Sequence, residues 1–136
     1  MIFSAEIDGV PSWQLIFPET CPEGRQLKTQ TRRPWKTGGQ WRPGQQIAVQ
    51  PGRGKHQVGR VEIVCVRAGI GISTYDAVAE GFVFDANPAE RFLDLWDKMY
   101  NGEHRRKVVL YFKPVILDIA MAKALGAKMK EDDDGE

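Results

Sequence analysis

The sequence predicts a mixed α+β domain built on a small closed or partly closed β-barrel, with two or three short helices packed around it. Three observations carry this. Strand-like segments are scattered along the chain and separated by long turn-rich stretches, two adjacent helical segments sit in its middle, and no βαβ alternation joins them. At 136 residues, with 42% hydrophobic and 27% charged residues, the chain is sized for one ordinary globular domain.

Taken in order, residues 1–9 read as a strand ended by Asp8-Gly9. Pro11, Pro18 and Pro22 forbid a continuous helix over residues 10–24, despite the apolar Trp13, Leu15, Ile16 and Phe17. Residues 25–45 are basic and rich in Pro and Gly, and read as irregular. A strand is expected at residues 46–50, a turn at Pro51-Gly52-Arg53-Gly54, and the clearest strand at 58–67, dense in β-branched residues. A short helix opens at Ser73 or Thr74, with Asp76 placed as in a capping box, and runs through Glu80 to Gly81. A second helix starts at Asn87 with Pro88 at its first position and carries Phe92, Leu93, Trp96, Met99 and Tyr100 at helical spacing to Asn101-Gly102. Lys107–Lys113 reads as a strand stopped by Pro114, and residues 115–129 as a strand end followed by a helix. Residues 130–136 form an acidic tail with the composition of disorder.

Charge distribution says more than the net charge of +1. Between Glu23 and Glu62 there is no acidic residue, while Arg25, Lys28, Arg32, Arg33, Lys36, Arg42, Arg53, Lys55 and Arg60 supply nine positive charges. Concentrating one sign in this way suits a polyanionic partner, and phosphate is the common one. The segment Lys28-Thr29-Gln30-Thr31-Arg32-Arg33 combines cations and hydroxyls able to meet phosphate or ribose. Trp35 and Trp41 offer aromatic faces beside it for base stacking, or else core packing. In a regular strand Lys28 and Thr31 would point to opposite faces, so sharing a pocket requires a turn, a helical turn or a bulge, for example at Gln30. The loop Gln50–Lys55 brings Arg53 and Lys55 close to backbone N–H groups freed by glycine; it has neither the spacing of a nucleotide-triphosphate loop nor a following helix. Glu80 sits at a helix C-terminus, where a carboxylate is unfavourable, a mild functional hint. Cys21 and Cys65 have no metal-binding spacing and read as reduced thiols; His56 and His104 lack partners at ligand spacing. No metal and no cofactor is expected. The first residues lack the pattern of a signal peptide and no apolar run is long enough for a membrane span, so a cytoplasmic protein is expected.

The ordered set of motifs resembles the ASCH family, of the PUA-like superfamily, in its phage-associated branch. The residues that carry the resemblance are Met1-Ile2-Phe3-Ser4, Gly24-Arg25, Lys28 to Pro34 and Gly44 before a strand. They continue with Ala48 to Lys55, Val58-Gly59-Arg60-Val61, Ala79-Glu80-Gly81-Phe82, Phe92 with Leu95-Trp96, and Val109-Leu110-Tyr111-Phe112. They span residues 1–114, which leaves 115–129 as a C-terminal extension. The resemblance implies a PUA-like β-barrel that binds RNA. Together with the charge pattern it makes RNA, DNA or a modified nucleoside the expected partner, with Arg25, Arg32, Arg33, Trp35, Arg53 and Lys55 expected from their charge and aromatic character to hold it. More distantly, the chain resembles the branch that hydrolyses the acetyl amide of N4-acetylcytidine. That resemblance implies Lys28 as base, Thr31 as nucleophile and Glu80 as proton shuttle. Binding of a nucleic acid or nucleoside ranks first among the expectations, metal-independent amide hydrolysis second, and a ribonuclease activity third.

Overall fold

The structure, a computed structural model, describes residues 1–34, 41–69, 74–82, 87–100 and 107–129. Ser73, Trp35, the Asn101-Gly102 stop and the acidic tail 130–136 lie outside the described residues.

The chain is a small mixed α+β protein with two sheets and three α-helices among the described residues. Strands β1 (Glu6–Ile7) and β2 (Val10–Pro11) pair antiparallel across Asp8-Gly9. Both turn residues have positive φ, 53° and 80°, as such a tight reversal requires. A 3₁₀ turn follows at Ser12–Leu15. The main sheet has the order β3-β6-β5-β4, where β3 is Gln30–Pro34, β4 Gln46–Val49, β5 Gly59–Gly69 and β6 Lys107–Leu117; all its pairs are antiparallel. Helix α1 (Thr74–Ala79) and helix α2 (Pro88–Tyr100) lie between β5 and β6 in sequence, and α3 (Ile119–Ala124) closes the described chain.

Three differences from the sequence reading have physical reasons. The segment read as irregular contains β3, whose Gln-Thr-Arg-Arg-Pro run shows no apolar alternation, because Gln30 and Arg32 are directed to polar groups of Asp76 and Glu80. β6 runs past Pro114, which pairs with Val61 beside a register shift between Arg60 and Val61; a residue without an N–H fits at such an irregularity. The first nine residues form only the two-residue β1, plus a parallel bridge from Ile2 to Gln50 just beyond β4. Residues 115–129 finish β6 and form α3, whose cap Asp118 accepts from the Met121 N–H at 3.0 Å.

Among the described residues no closed barrel forms: β3 and β4 are the two edges of the main sheet. Two large apolar clusters, with a smaller third of Ile63, Val108 and Leu110, hold the fold. One gathers Phe3, Trp13, Ile16, Phe17, Val49, Val58, Phe112 and Leu117 with the α3 region's Ala122, Ala127 and Met129. The other gathers Ile7, Leu15, Cys21 and Leu27 with Ala77, Phe82, Phe92 and Trp96 from the helical side. No helix among the described residues is long and apolar enough to cross a membrane.

Candidate functional site

A cavity of about 240 Å³ lies where the edge strand β3, the first residues of the chain and α2 meet. Its polar wall is Lys28, Thr31, Arg32, Arg33 and Glu80; its apolar wall includes Phe3, Phe82, Phe92 and Trp96. The aromatic rings are ordered among themselves, with Phe82 edge-on to Phe92 at 6.1 Å and Phe92 tilted against Trp96 at 6.1 Å.

The backbone around Lys28 is fixed from several directions. The N–H groups of Leu27 and Lys28 both donate to the Leu15 carbonyl, at 2.9 and 3.0 Å, and the Gln26 amide donates to the Lys28 carbonyl at 3.0 Å. Thr29 N–H then donates to the Ala79 carbonyl at 2.8 Å, which satisfies one of the orphan carbonyls at the end of α1. The Lys28 side chain takes the next one: Nζ donates to the Glu80 carbonyl at 2.9 Å and to Glu80 Oε1 at 3.3 Å. A cation at this helix end offsets the C-terminal dipole that makes Glu80 awkward. Gly81, with φ of 118°, turns the chain immediately after Glu80.

Gln30 completes the cluster. Its Nε2 donates to Glu80 Oε2 at 3.0 Å and to the Asp76 carbonyl at 3.3 Å, so both carboxylate oxygens of Glu80 are engaged. Two positions on, Arg32 NH2 pairs with Asp76 Oδ2 at 3.1 Å, and the other Asp76 oxygen meets Arg67 NH2 at 3.0 Å. Arg67 also donates from Nε to the Tyr111 hydroxyl at 2.7 Å. Lys28, Gln30 and Arg32 thus reach the two acids of α1 and its end from alternate positions of one segment, as the period of two requires. Arg33, of opposite parity, donates from NH2 to the Ile2 carbonyl at 2.7 Å and lies over the Phe3 ring at 5.1 Å.

Lys28 and Thr31 line the same cavity without a bulge at Gln30, because the pairing of β3 with β6 runs unshifted from Gln30 to Pro34. β3 is an edge strand, and residues of both parities reach the space beside it. Lys28 is 6% exposed. Burial lowers its pKa from the usual 10.5; the Glu80 carboxylate opposes this, while the Arg33 charge adds to it.

Other residues picked from charge lie elsewhere. Arg25, Arg53 and Lys55 are exposed and line no part of this cavity. Trp41 packs against the Ile63, Val108 and Leu110 cluster, and so belongs to the core. Gln30, Asp76 and the aromatic wall were not singled out as site residues from sequence. Phe92 and Trp96 had a visible signal, their helical spacing, but it marks a buried face and not what the face encloses. Among the described residues no group of His, Cys, Asp or Glu is placed to hold a metal ion.

No family model and no curated protein matches the chain. The fold is similar to that in the crystal structure of protein EF3133 from Enterococcus faecalis V583, of family DUF984, with a TM-score of 0.50 and 19% identity over 67% of this chain. The chain spans 65% of the length of that structure, and the likeness is one of fold.

Proposed function

We propose that the protein binds RNA, DNA or a nucleoside by taking one base into this cavity. The observation that carries the reading is the mixed lining: four aromatic rings and a group of charged and hydroxyl side chains enclose one space of about 240 Å³. That space is small for a ligand pocket and suits a single planar heterocycle, stacked on one side and read at its edge on the other. A PUA-like barrel of the ASCH type is the matching fold reading. In its support, Arg33 reaches from β3 to Ile2, and Ile2 bridges to Gln50 beyond β4, so the two sheet edges are linked through the chain's first residues. Titration of fluorescently labelled single-stranded RNA and DNA at two salt concentrations tests the proposal. Binding that weakens steeply with salt is expected; absence of binding by strands and nucleosides alike overturns it.

A second reading, amide hydrolysis of an N-acylated nucleoside such as N4-acetylcytidine, rests on Lys28 Nζ and Glu80 Oε1 lying 3.3 Å apart in the cavity that Thr31 also lines. A lysine whose pKa burial lowers would take the Thr31 hydroxyl proton, and Thr31 Oγ would attack the carbonyl carbon. The C–N bond would break as Glu80 carries the proton to the leaving amine, and water would then hydrolyse the acyl-threonine to acetate and free Thr31. Release of acetate that Thr31→Ala abolishes is the expected result, and no turnover by the wild type ends this reading.

A further inference from the structure

Three buried N–H-bearing nitrogens of the cavity wall have no hydrogen-bond partner among the described residues: Arg32 Nε, Arg32 NH1 and Arg33 Nε. Arg32 is 4% exposed, and its one ion pair among the described residues, to Asp76, uses NH2. Arg33 uses NH2 on a neutral carbonyl. A guanidinium cannot shed its charge, and buried donors are almost always satisfied, so unfilled ones on a cavity wall point to what fills the cavity. Charge points the same way. The lining has three cations, Lys28, Arg32 and Arg33, against the single carboxylate of Glu80. Asp76 pairs with Arg32 while also serving Arg67, and among the described residues Arg33 is in no ion pair.

We infer that the cavity holds a phosphate oxyanion against Arg32 and Arg33, so that its ligand is a nucleotide unit entering with its phosphate and not a bare nucleoside. This rests on the base-binding reading for the rest of the ligand, though the oxyanion site stands on the arginines alone. Planar guanidinium donors suit phosphate oxygens, and in a dry cavity charge-assisted bonds of this kind are the strong ones. The phosphate belongs either to a free mononucleotide or to a strand.

Calorimetric titration with the four nucleosides, their 5′- and 3′-monophosphates, a dinucleotide and inorganic phosphate separates the cases. Monophosphates are expected to bind about tenfold tighter than nucleosides or better. Arg33→Gln should erase that gain and Arg33→Lys should restore part of it. On the wild type alone, sulfate should weaken monophosphate binding and leave nucleoside binding in place, which keeps the test independent of how well the variants fold. A dinucleotide stronger than either monophosphate assigns the phosphate to a strand; the reverse order assigns it to a mononucleotide, and either supports the site. Inorganic phosphate that binds in an Arg33-dependent way, with nucleosides inert, removes the base pocket and keeps the oxyanion site. Nucleosides and monophosphates binding alike, with inorganic phosphate inert, overturns the oxyanion site and keeps the base pocket.

Discussion

Lys28 carries its amine into a place where, among the described residues, Glu80 alone pairs with it, and this should be measurable as a pH effect on folding. Burial lowers its pKa below 10.5, with Glu80 opposing and Arg33 assisting. Between the lowered value and 10.5 the unfolded chain binds a proton that the folded protein does not, so stability rises with pH across that window. Below it the buried charge costs most, and above it the side chain is neutral in both states. The unfolding free energy of wild type minus that of Lys28→Met should therefore climb with alkaline pH, by at most about 1.4 kcal/mol per pH unit. A difference independent of pH would sink this account. Removing the other partner is harsher. Glu80→Ala leaves Lys28 buried without its carboxylate and should cost about 3–5 kcal/mol in denaturant unfolding near neutral pH.

At the scale of elements, the end of α1 and the start of β5 are held by glycines that admit no side chain. A Cβ on Gly81 would lie 2.9 Å from Ile7 Cδ1, on a backbone with φ of 118°. Gly81→Ala should lose about 1–3 kcal/mol or more of stability and displace Glu80 from Lys28, so cavity ligands should bind it more weakly. At Gly59 a Cβ would lie 2.5 Å from both the Ile116 carbonyl oxygen and Phe17 Cζ, so Gly59→Ala forces β5 from β6. These elements also show what the sequence makes legible. β5, α1 and α2 announce themselves through β-branched density and helical spacing. β3 does not, because its pattern is written by polar partners on α1 and not by an apolar face. Lys28, Thr31 and Glu80 emerge from motif resemblance, and the structure brings them to one cavity with Arg32 and Arg33. Arg25, Arg53 and Lys55 show the limit of reasoning from charge: a run of one sign does not say where each side chain points. Gln30 is invisible beforehand, since its importance lies in two acceptors 46 and 50 residues away.

For the whole molecule, the 3₁₀ turn Ser12–Leu15 and the residues after it tie the two apolar clusters together. Trp13, Ile16 and Phe17 enter the cluster on the sheet and α3 side, whereas Leu15 enters the helical one. Neither half can open without exposing this segment, so the protein should unfold in one transition, with circular dichroism and tryptophan fluorescence coincident. Leu15→Ala should lower the midpoint at a cost of about 2–5 kcal/mol and keep the two probes superimposed. Separation of the probes would show the clusters to be independent. The cavity, lined by Phe3 from one cluster and by Phe82, Phe92 and Trp96 from the other, sits on this seam.

The engagement of both Glu80 oxygens has a kinetic consequence. Lys28 and Gln30 already occupy them, so a ligand that needs either Lys28 or Glu80 must exchange partners with a closed pair and not merely dock beside it. Such an exchange gives a latch: the observed association rate should level off at high ligand concentration, at the speed with which the Lys28–Glu80 pair lets go.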